Sequence, residues 1–297
     1  MTVVVTGATG QLGSAVVRRL LELIPAGDIV ASVRDPRKAQ DLGVQVREGD
    51  FDRPVTLVQA FAGADRLLLV STDTFDNAAK LGQHRAAVAA AVEARVGHVV
   101  YTSITAANTN GIVLADAHRP TGPPAHRPTE QAILASGLPY TFLRNDWYLE
   151  NDLGTIAGAL ATGTLATSSR GGRFAPAPRE DYARAAATVL ATDGHEGVTY
   201  ELGASASSSY ADWAKALSTA TGRHIAYAEV SEDQARAGLT AAGLPGPLVT
   251  MLISFYGALA RGEFDRPGEE LARLSGRTPA TLQDFVAAAV RPQPDAD

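Results

Sequence analysis

The chain of 297 residues has no cysteine, and this absence removes several kinds of chemistry. Disulfide bridges, thiolate nucleophiles and cysteine-ligated metal sites are all excluded. The six histidines are dispersed and lack the short helical spacing of a metal-binding pair, so we expect no metal site. The lack of disulfides fits a cytoplasmic protein, and we take the cytoplasm as the expected localisation.

Long apolar runs and basic clusters are missing as well. No run approaches the roughly 18–20 residues that a membrane-spanning helix requires, and the apolar stretch at residues 3–5 is too short for a signal peptide. The formal net charge is −6 and the basic residues are scattered, unlike those of a nucleic-acid-binding surface. We therefore expect neither a membrane nor a nucleic acid as a partner.

Short β-branched runs alternate with helical patterns in the first half of the chain. The runs predict strands at residues 2–6, 29–33, 44–48, 66–70, 98–102 and 140–144, and the clearest helical patterns lie at 12–24 and 81–94. Nearly continuous apolar strands separated by helices indicate a parallel sheet that is covered on both faces. The predicted fold class is α/β, with a Rossmann-type doubly wound parallel sheet.

This alternation changes after about residue 150. Helical patterns at residues 179–192, 210–221 and 281–290 surround short strands at 199–202 and 226–230. They predict a smaller α+β C-terminal region that caps the carboxyl edge of the sheet. We therefore expect a dinucleotide-binding Rossmann domain at 1–150 and a smaller substrate-binding region at 151–297, whose chain is free to cross back to the sheet. Residues 291–297 have the composition of a loose polar tail.

A glycine-rich segment joins the first predicted strand to the first predicted helix. Gly7, Gly10 and Gly13 form a Gly-x-x-Gly-x-x-Gly pattern. The first glycine permits a tight turn, the second lets the backbone approach a diphosphate, and the third lets the helix pack on the strand. Free N–H groups at the helix N-terminus then attract the phosphates. The pattern predicts a dinucleotide site, and the alternative is a tight turn without a ligand.

Basic residues follow the second predicted strand, where NAD-binding proteins usually carry an acid for the ribose hydroxyls. Arg34 comes directly after the strand, and Arg37 and Lys38 follow. A guanidinium suits a 2′-phosphate, which a carboxylate would repel, so these residues predict NADPH as the cofactor. The neighbouring Asp35 argues against this assignment, and the alternative is a group of solvated charges at a helix start.

Polar residues also follow the third and fourth predicted strands. Asp50 is placed to accept from the adenine amino group, or it caps a turn before Pro54. Ser71 and Thr72 are expected beside the nicotinamide ribose, or they are ordinary turn formers. The residues expected to bind the cofactor are Gly7, Thr9, Gly10, Gln11, Leu12, Gly13, Arg34, Lys38, Asp50, Ser71, Thr72 and Thr102.

These motifs resemble the NmrA-like group of atypical short-chain dehydrogenase/reductases, and within it the quinone and triphenylmethane reductases. The likeness runs nearly end to end, and its most specific part is Arg-Asn-x-Trp-Tyr-x-x-Asn at 144–151. The resemblance implies hydride transfer from NADPH to a quinone or similar conjugated, aromatic small molecule. We expect the protein to be a monomer or a homodimer. Other matching stretches lie at 5–13, 33–36, 49–50, 98–103, 114–116, 139–140, 264–265 and 274–279.

The Tyr-x-x-x-Lys pair of typical short-chain dehydrogenases is missing near the fifth predicted strand. Tyr101 is followed at that spacing by Thr105, and His126 with Glu130 occupies the region instead, as in the quinone-reductase relatives. A quinone needs less help from an acid because conjugation stabilises the anion that hydride addition produces. The alternative is a helix-start histidine with a glutamate that the helix dipole stabilises.

A short duplication precedes this helix. Ala-His-Arg-Pro-Thr at 117–121 recurs at 125–129, so that either His118 or His126 aligns with the family position. We favour His126 because Glu130 follows it. The repeat is interpreted as a surface-loop duplication of eight residues, which loops tolerate at low entropic cost.

Polar and aromatic side chains follow the fifth and sixth predicted strands at the expected ligand crevice. Asn145 is placed to bind the carboxamide or an acceptor oxygen, while Ser103 either donates to that oxygen or merely ends its strand. Aromatic rings here either stack on a flat acceptor or pack in the core. The expected catalytic residues are Ser103, His126 and Asn145, the expected substrate contacts are Phe75, Trp147 and Tyr148, and Phe255 and Tyr256 are candidates for an apolar lid.

Two alternative functions stay open at this stage. The first is a pathway-specific reductase of a polycyclic metabolite, whose pocket the duplicated segment reshapes. The second is a regulator that senses NADP(H) without catalysis.

Overall fold

The computed structural model describes residues 1–107 and 125–291, and a seven-stranded parallel sheet forms its centre. The strand order is β3-β2-β1-β4-β5-β6-β9, and every neighbouring pair is parallel. The order reverses between β1 and β4, which opens a crevice at the carboxyl ends of the strands. The strands are β1 (Val3–Thr6), β2 (Ile29–Val33), β3 (Gln45–Glu48), β4 (Arg66–Leu69), β5 (His98–Ile104), β6 (Tyr140–Asn145), β7 (Thr164–Thr167), β8 (Arg173–Phe174), β9 (Val198–Leu202), β10 (Ser208–Ser209) and β11 (Ala226–Glu229).

Helices cover both faces of this sheet. Val3 and Val5 pack in one core with α1 and α6, whereas Val4 packs in the opposite core with α2 and α3, because successive strand side chains point to opposite faces. The predicted fold class is thereby confirmed. The helices are α1 (Gln11–Leu20), α2 (Val55–Phe61), α3 (Asn77–Glu93), α4 (His126–Ser136), α5 (Leu153–Thr162), α6 (Arg179–Ala191), α7 (Tyr210–Thr221), α8 (Glu232–Ala241), α9 (Gly246–Ala260), α10 (Glu270–Ser275) and α11 (Leu282–Ala289).

A second lobe stands on the carboxyl edge of the sheet. Its apolar core gathers side chains of α5, α7 and α9, and Phe174 and Trp213 are fully buried in it. Two short strand pairs, β7 with β11 and β8 with β10, belong to this lobe. None of the helices in the described ranges is long and apolar enough to cross a bilayer.

In the sequence analysis β9 and α6 are placed in the capping region, but β9 belongs to the main sheet and α6 to the helices that cover it. Residues 199–202 lie in β9 at the edge of the sheet beside β6, and α6 packs on α1. Tyr200 and Leu202 are buried in the same core as Leu143, and such long-range pairing leaves no local pattern in a short strand. The chain therefore crosses back to the sheet after residue 151.

Helix boundaries also differ from the predicted ones. The first helix ends at Leu20 rather than at residue 24. The predicted helix at 81–94 begins earlier, at Asn77, because Asp76 caps it by accepting from the amides of Ala78 and Ala79 at 2.8 and 3.0 Å. The first copy of the duplication, residues 114–116 of the resemblance and residues 292–297 of the tail lie outside the described residues.

Candidate cofactor and acceptor site

The glycine-rich segment forms a turn that presents backbone amides at the start of α1. Gly7 has a φ of +58°, and the Gly10 amide donates to its carbonyl at 2.8 Å. No described side chain caps α1, so the N–H groups of its first turn stay open to a ligand. A Cβ on Gly13 would lie 2.3 Å from the Gly7 carbonyl oxygen, so only glycine lets helix and strand approach this closely. The turn therefore has the geometry of a phosphate-binding loop.

Arg34 leaves β2 with an exposed side chain that forms no ion pair within the described ranges. The adjacent carboxylate of Asp35 is engaged elsewhere: it binds the guanidinium of Arg37, with 2.9 Å between Oδ1 and Nε. This hydrogen bond lowers the pKa of Asp35. The Asp35 carboxylate is thus paired with Arg37. Arg34 and the exposed Lys38 are therefore available to bind an anion.

Both carboxylate oxygens of Asp50 accept hydrogen bonds within its own turn. Its Oδ1 accepts from the Asp52 amide at 3.0 Å, and its Oδ2 accepts from Arg53 Nε at 3.2 Å. This arrangement matches the turn-capping interpretation. The adenine contact stays a prediction.

A cavity of about 920 Å³ opens between the carboxyl edge of the sheet and the second lobe. The ends of β4, β5 and β6 form its floor, and apolar side chains of the second lobe form most of its wall. The predicted site residues that line this cavity are Leu12, Ser71, Phe75, Thr102, Ser103, His126, Asn145, Trp147 and Tyr148. The other predicted site residues do not line it; they are Gly7, Thr9, Gly10, Gln11, Gly13, Arg34, Lys38, Asp50 and Thr72. The apolar wall includes Ala159, Leu165, Leu239, Leu248, Met251 and Tyr256.

Asn145 presents an unused acceptor at the end of β6. Its Nδ2 donates to the Tyr148 hydroxyl at 2.9 Å, and its buried Oδ1 has no hydrogen-bond partner in the described part of the chain. The Tyr148 ring is held in turn by Tyr182, with 5.0 Å between centroids, and by the Arg179 guanidinium above it at 5.1 Å. The Asn145 amide is therefore held in place at the cavity with one acceptor unused.

Trp147 is held by the core of the second lobe as well as lining the cavity. Its ring stacks on Phe255 with 3.8 Å between centroids, and its Nε1 donates to the buried Asp152 at 2.7 Å. One ring face is thus covered, as the packing interpretation expects. Phe75 is 43% exposed.

Ser103 already donates its hydroxyl proton to a buried charge cluster. Its Oγ lies 2.6 Å from Glu130 Oε1, and Arg144 binds both oxygens of the same carboxylate at 2.9 and 2.7 Å. Arg144 also reaches Glu201 on β9 at 2.8 Å. The cluster links β5, β6, β9 and α4. Glu130 thus accepts hydrogen bonds from Arg144 and Ser103, whereas in the sequence analysis it is grouped with His126.

A second buried network holds the histidines in their neutral form. The Thr72 amide donates to His84 Nε2 at 3.1 Å, so His84 carries its proton on Nδ1, which lies 2.9 Å from Thr129 Oγ1. The Tyr101 hydroxyl lies 2.9 Å from Nδ1 of His126. Burial lowers the pKa of His84 to about 3 and that of His126 well below its usual range. His126 therefore lines the cavity as a neutral hydrogen-bonding group.

Two cavity residues with strongly shifted pKa values, Asp146 and Lys80, were missed from the sequence. Burial raises the pKa of Asp146 to about 8, although its Oδ1 accepts from the Trp147 amide at 2.6 Å. Burial lowers the pKa of Lys80 to about 8. Asp146 occupies the unspecified position of the Arg-Asn-x-Trp motif, and Lys80 lay just outside the predicted helix. The sequence signal that could have identified Lys80 is its position in the first turn of the helix after the fourth strand. Helices that follow parallel strands begin at the carboxyl edge of the sheet, where ligands bind.

The NAD(P)H-binding family matches residues 7–193 of this chain. The chain is 38% identical over 289 residues to quinone oxidoreductase 2 of Escherichia coli, covering 96% of this chain and 97% of that protein. The solved complex of the Escherichia coli NADPH-dependent quinone oxidoreductase QOR2 with NADPH has a TM-score of 0.91 and 36% identity, with 98% and 100% coverage. Triphenylmethane reductase from Citrobacter sp. has a TM-score of 0.89 and 36% identity, with 98% and 99% coverage.

The phosphate-binding turn, the strand order and these similarities agree with each other. They confirm a nicotinamide cofactor and a small-molecule substrate. The chain belongs to the NAD(P)H-binding family, as an NmrA-like short-chain dehydrogenase/reductase, and is an NAD(P)H-dependent oxidoreductase.

Proposed function

We propose that this protein transfers a hydride from NADPH to a quinone or a similarly conjugated aromatic acceptor. The observation that carries the proposal is the large, mostly apolar cavity at the carboxyl ends of β4, β5 and β6. A dinucleotide whose diphosphate lies on the glycine turn reaches this crevice with its nicotinamide end. The names of the similar quinone and triphenylmethane reductases support an acceptor of this class.

Residues of the first lobe bind and orient the cofactor in this proposal. The open amides of α1 hold the diphosphate, and Arg34 pairs with the 2′-phosphate. Asn145 Oδ1 accepts from the carboxamide, which fixes which face of the ring points into the cavity. Thr102 Oγ1 accepts from the Ser71 amide at 2.9 Å and so fixes the loop proposed beside the ribose. When bound, the cofactor supplies the hydride.

Residues of both lobes prepare the acceptor. Apolar side chains of the second lobe exclude water from one side, and Tyr148 and the open part of Trp147 border the space for a flat ring. Neutral His126 hydrogen-bonds the acceptor oxygen, where negative charge develops. Most of the catalysis in this scheme comes from holding two flat rings in contact.

Single-turnover kinetics test the proposal against its alternatives. The protein is loaded with one equivalent of NADPH and mixed in a stopped-flow instrument with simple quinones and with polycyclic aromatic ketones. We expect rapid loss of NADPH absorbance with the simple quinones. Oxidation by polycyclic ketones alone would indicate the pathway-specific reductase, and tight binding without oxidation by any acceptor would indicate the sensor.

Arg34→Ala tests the choice of cofactor. Loss of one charge-assisted contact of about 1.5–3 kcal/mol should raise the Kd for NADPH by roughly 10–100-fold. The Kd for NADH should stay unchanged, because NADH has no 2′-phosphate. Calorimetry measures both constants, and Arg223→Ala in the second lobe is the control for loss of one exposed guanidinium. An equal loss of affinity for both nucleotides would refute the 2′-phosphate contact.

A further inference from the structure

Lys80 places an ammonium group inside the acceptor cavity. Its side chain lies on α3, is only 7% exposed and lines the cavity together with His126 and Asn145. The chain's other lysines, Lys38 and Lys215, are exposed. Because lysine is rarely buried without a partner, this position calls for an explanation.

Packing does not supply that explanation. Among the residues that the structure describes, no carboxylate lies within ion-pair distance of the Lys80 ammonium; Asp73 acts on it only through its longer-range charge. Most of the cavity wall is apolar. A buried cation without a partner costs stability, and such costs concentrate at functional sites.

We propose that Lys80 is the acid that protonates the reduced acceptor, an assignment that rests on the proposed hydride transfer to a quinone. Hydride transfer breaks a C–H bond of NADPH, forms an O–H bond on one quinone oxygen and leaves a hydroquinone monoanion that is charged on the other oxygen. The ammonium group of Lys80 gives one proton to the anionic oxygen, so that an O–H bond forms and an N–H bond breaks. The resulting neutral amine takes a proton from water when the product leaves. NADPH is oxidised by two electrons and the quinone is reduced by two.

The surroundings of Lys80 suit this task. Burial lowers its pKa to about 8, so that near neutral pH the group is charged and yet gives up its proton readily. His84 and His126 are held neutral and cannot serve as cationic acids. The titratable and charged groups that act on Lys80 or share its cavity are Asp73, His84, His126, Asp146, Tyr148, Arg179 and Tyr256.

Comparing two acceptors, one that needs a proton after hydride transfer and one that does not, separates proton donation by Lys80 from other effects of this residue on turnover. A 1,4-naphthoquinone needs a proton after it receives hydride. A cationic triphenylmethane dye needs none, because hydride addition to its central carbon gives a neutral product directly. For Lys80→Met we expect the ratio of naphthoquinone to dye turnover to fall by about 100-fold, the usual contribution of a positioned acid.

The pH profile gives an independent readout. Naphthoquinone turnover by the wild-type protein should fall as the pH rises through about 8, because the acid form of Lys80 is lost there. Lys80→Met should lose this alkaline limb. Lys80→Arg keeps the positive charge but releases no proton in this range, so it should also have a low ratio. Lys80→Gln replaces Lys80→Met in these measurements if the methionine variant does not fold. Lys215→Met, on the exposed face of α7, controls for the loss of one lysine.

Each opposing result has a distinct meaning. An unchanged ratio in Lys80→Met, or a full recovery in Lys80→Arg, would overturn the acid role while leaving the proposed function intact. An equal loss with both acceptors, accompanied by a weaker Kd for NADPH, would make Lys80 a cofactor-binding residue instead. If neither acceptor oxidises NADPH bound to the wild-type protein, the proposed function fails and this inference fails with it.

Discussion

Gly13→Ala should lose most of its affinity for NADPH. The added Cβ would lie 2.3 Å from the Gly7 carbonyl oxygen and 2.8 Å from its carbonyl carbon, and both are backbone atoms that cannot rotate away. The turn must therefore shift, and the amides at the start of α1 move off the diphosphate. Loss of two charge-assisted hydrogen bonds costs about 3–6 kcal/mol, which corresponds to roughly 10²–10⁴-fold in Kd. Calorimetric titration with NADPH measures the change.

Alanine substitutions at three glycines, which differ in how closely a Cβ would approach its neighbours, test this prediction more strictly. A Cβ on Gly10 would lie 3.2 Å from the same oxygen, so Gly10→Ala should lose less affinity than Gly13→Ala. Gly82 on α3 is exposed and has open space around it, so Gly82→Ala controls for the added methyl group. Should Gly13→Ala bind NADPH as tightly as Gly82→Ala, the turn is not the phosphate site.

Arg144→Met should cause the largest loss of folding stability among the substitutions considered. Glu130 is 5% exposed, and Arg144 neutralises it through two hydrogen bonds while also binding Glu201. Methionine preserves much of the volume but leaves the Glu130 carboxylate buried with only the Ser103 hydroxyl. Removal of one partner from a buried ion pair costs about 3–5 kcal/mol. Urea denaturation at pH 7 measures the free energy of unfolding.

The controls for this prediction come from the same chain. Arg236 pairs with Glu232 on the exposed face of α8, so Arg236→Met should cost no more than about 1 kcal/mol. The double variant Arg144→Met with Glu130→Met should recover part of the loss, because it removes the uncompensated charge. If Arg144→Met were no less stable than Arg236→Met, the cluster would contribute little to the fold.

Elements with strong local patterns were predictable from the sequence. The first six strands, the glycine turn and the order of helices between them follow from apolar runs and turn residues close together in the chain. The position of β9 was not predictable, because nothing in residues 199–202 specifies that β6 is their partner. The same limit applies to α6, whose contact with α1 spans more than 150 residues.

Site residues show the same division. The sequence brought Asn145, Ser103 and His126 to the carboxyl edge because each follows or neighbours a strand, and the structure places all three at the cavity. Their partners were not foreseeable: Ser103 is engaged by Glu130, while His126 lies beside Tyr101. Lys80 was overlooked because its significance comes from burial with no carboxylate within ion-pair distance among the described residues, and that burial arises only when the two lobes are assembled.

The return of the chain to the sheet at α6 and β9 constrains how new specificities arise in this scaffold. The pieces that shape the acceptor cavity come from separate stretches, α5 with β7 before α6, and α8 with α9 after β9. A single recombination event that exchanges both stretches also replaces α6 and β9, which lie between them in the chain and belong to the main sheet and its helical layer. Point substitutions and short duplications offer the easier route to a new acceptor, and this chain carries such a duplication, whose second copy forms the start of α4.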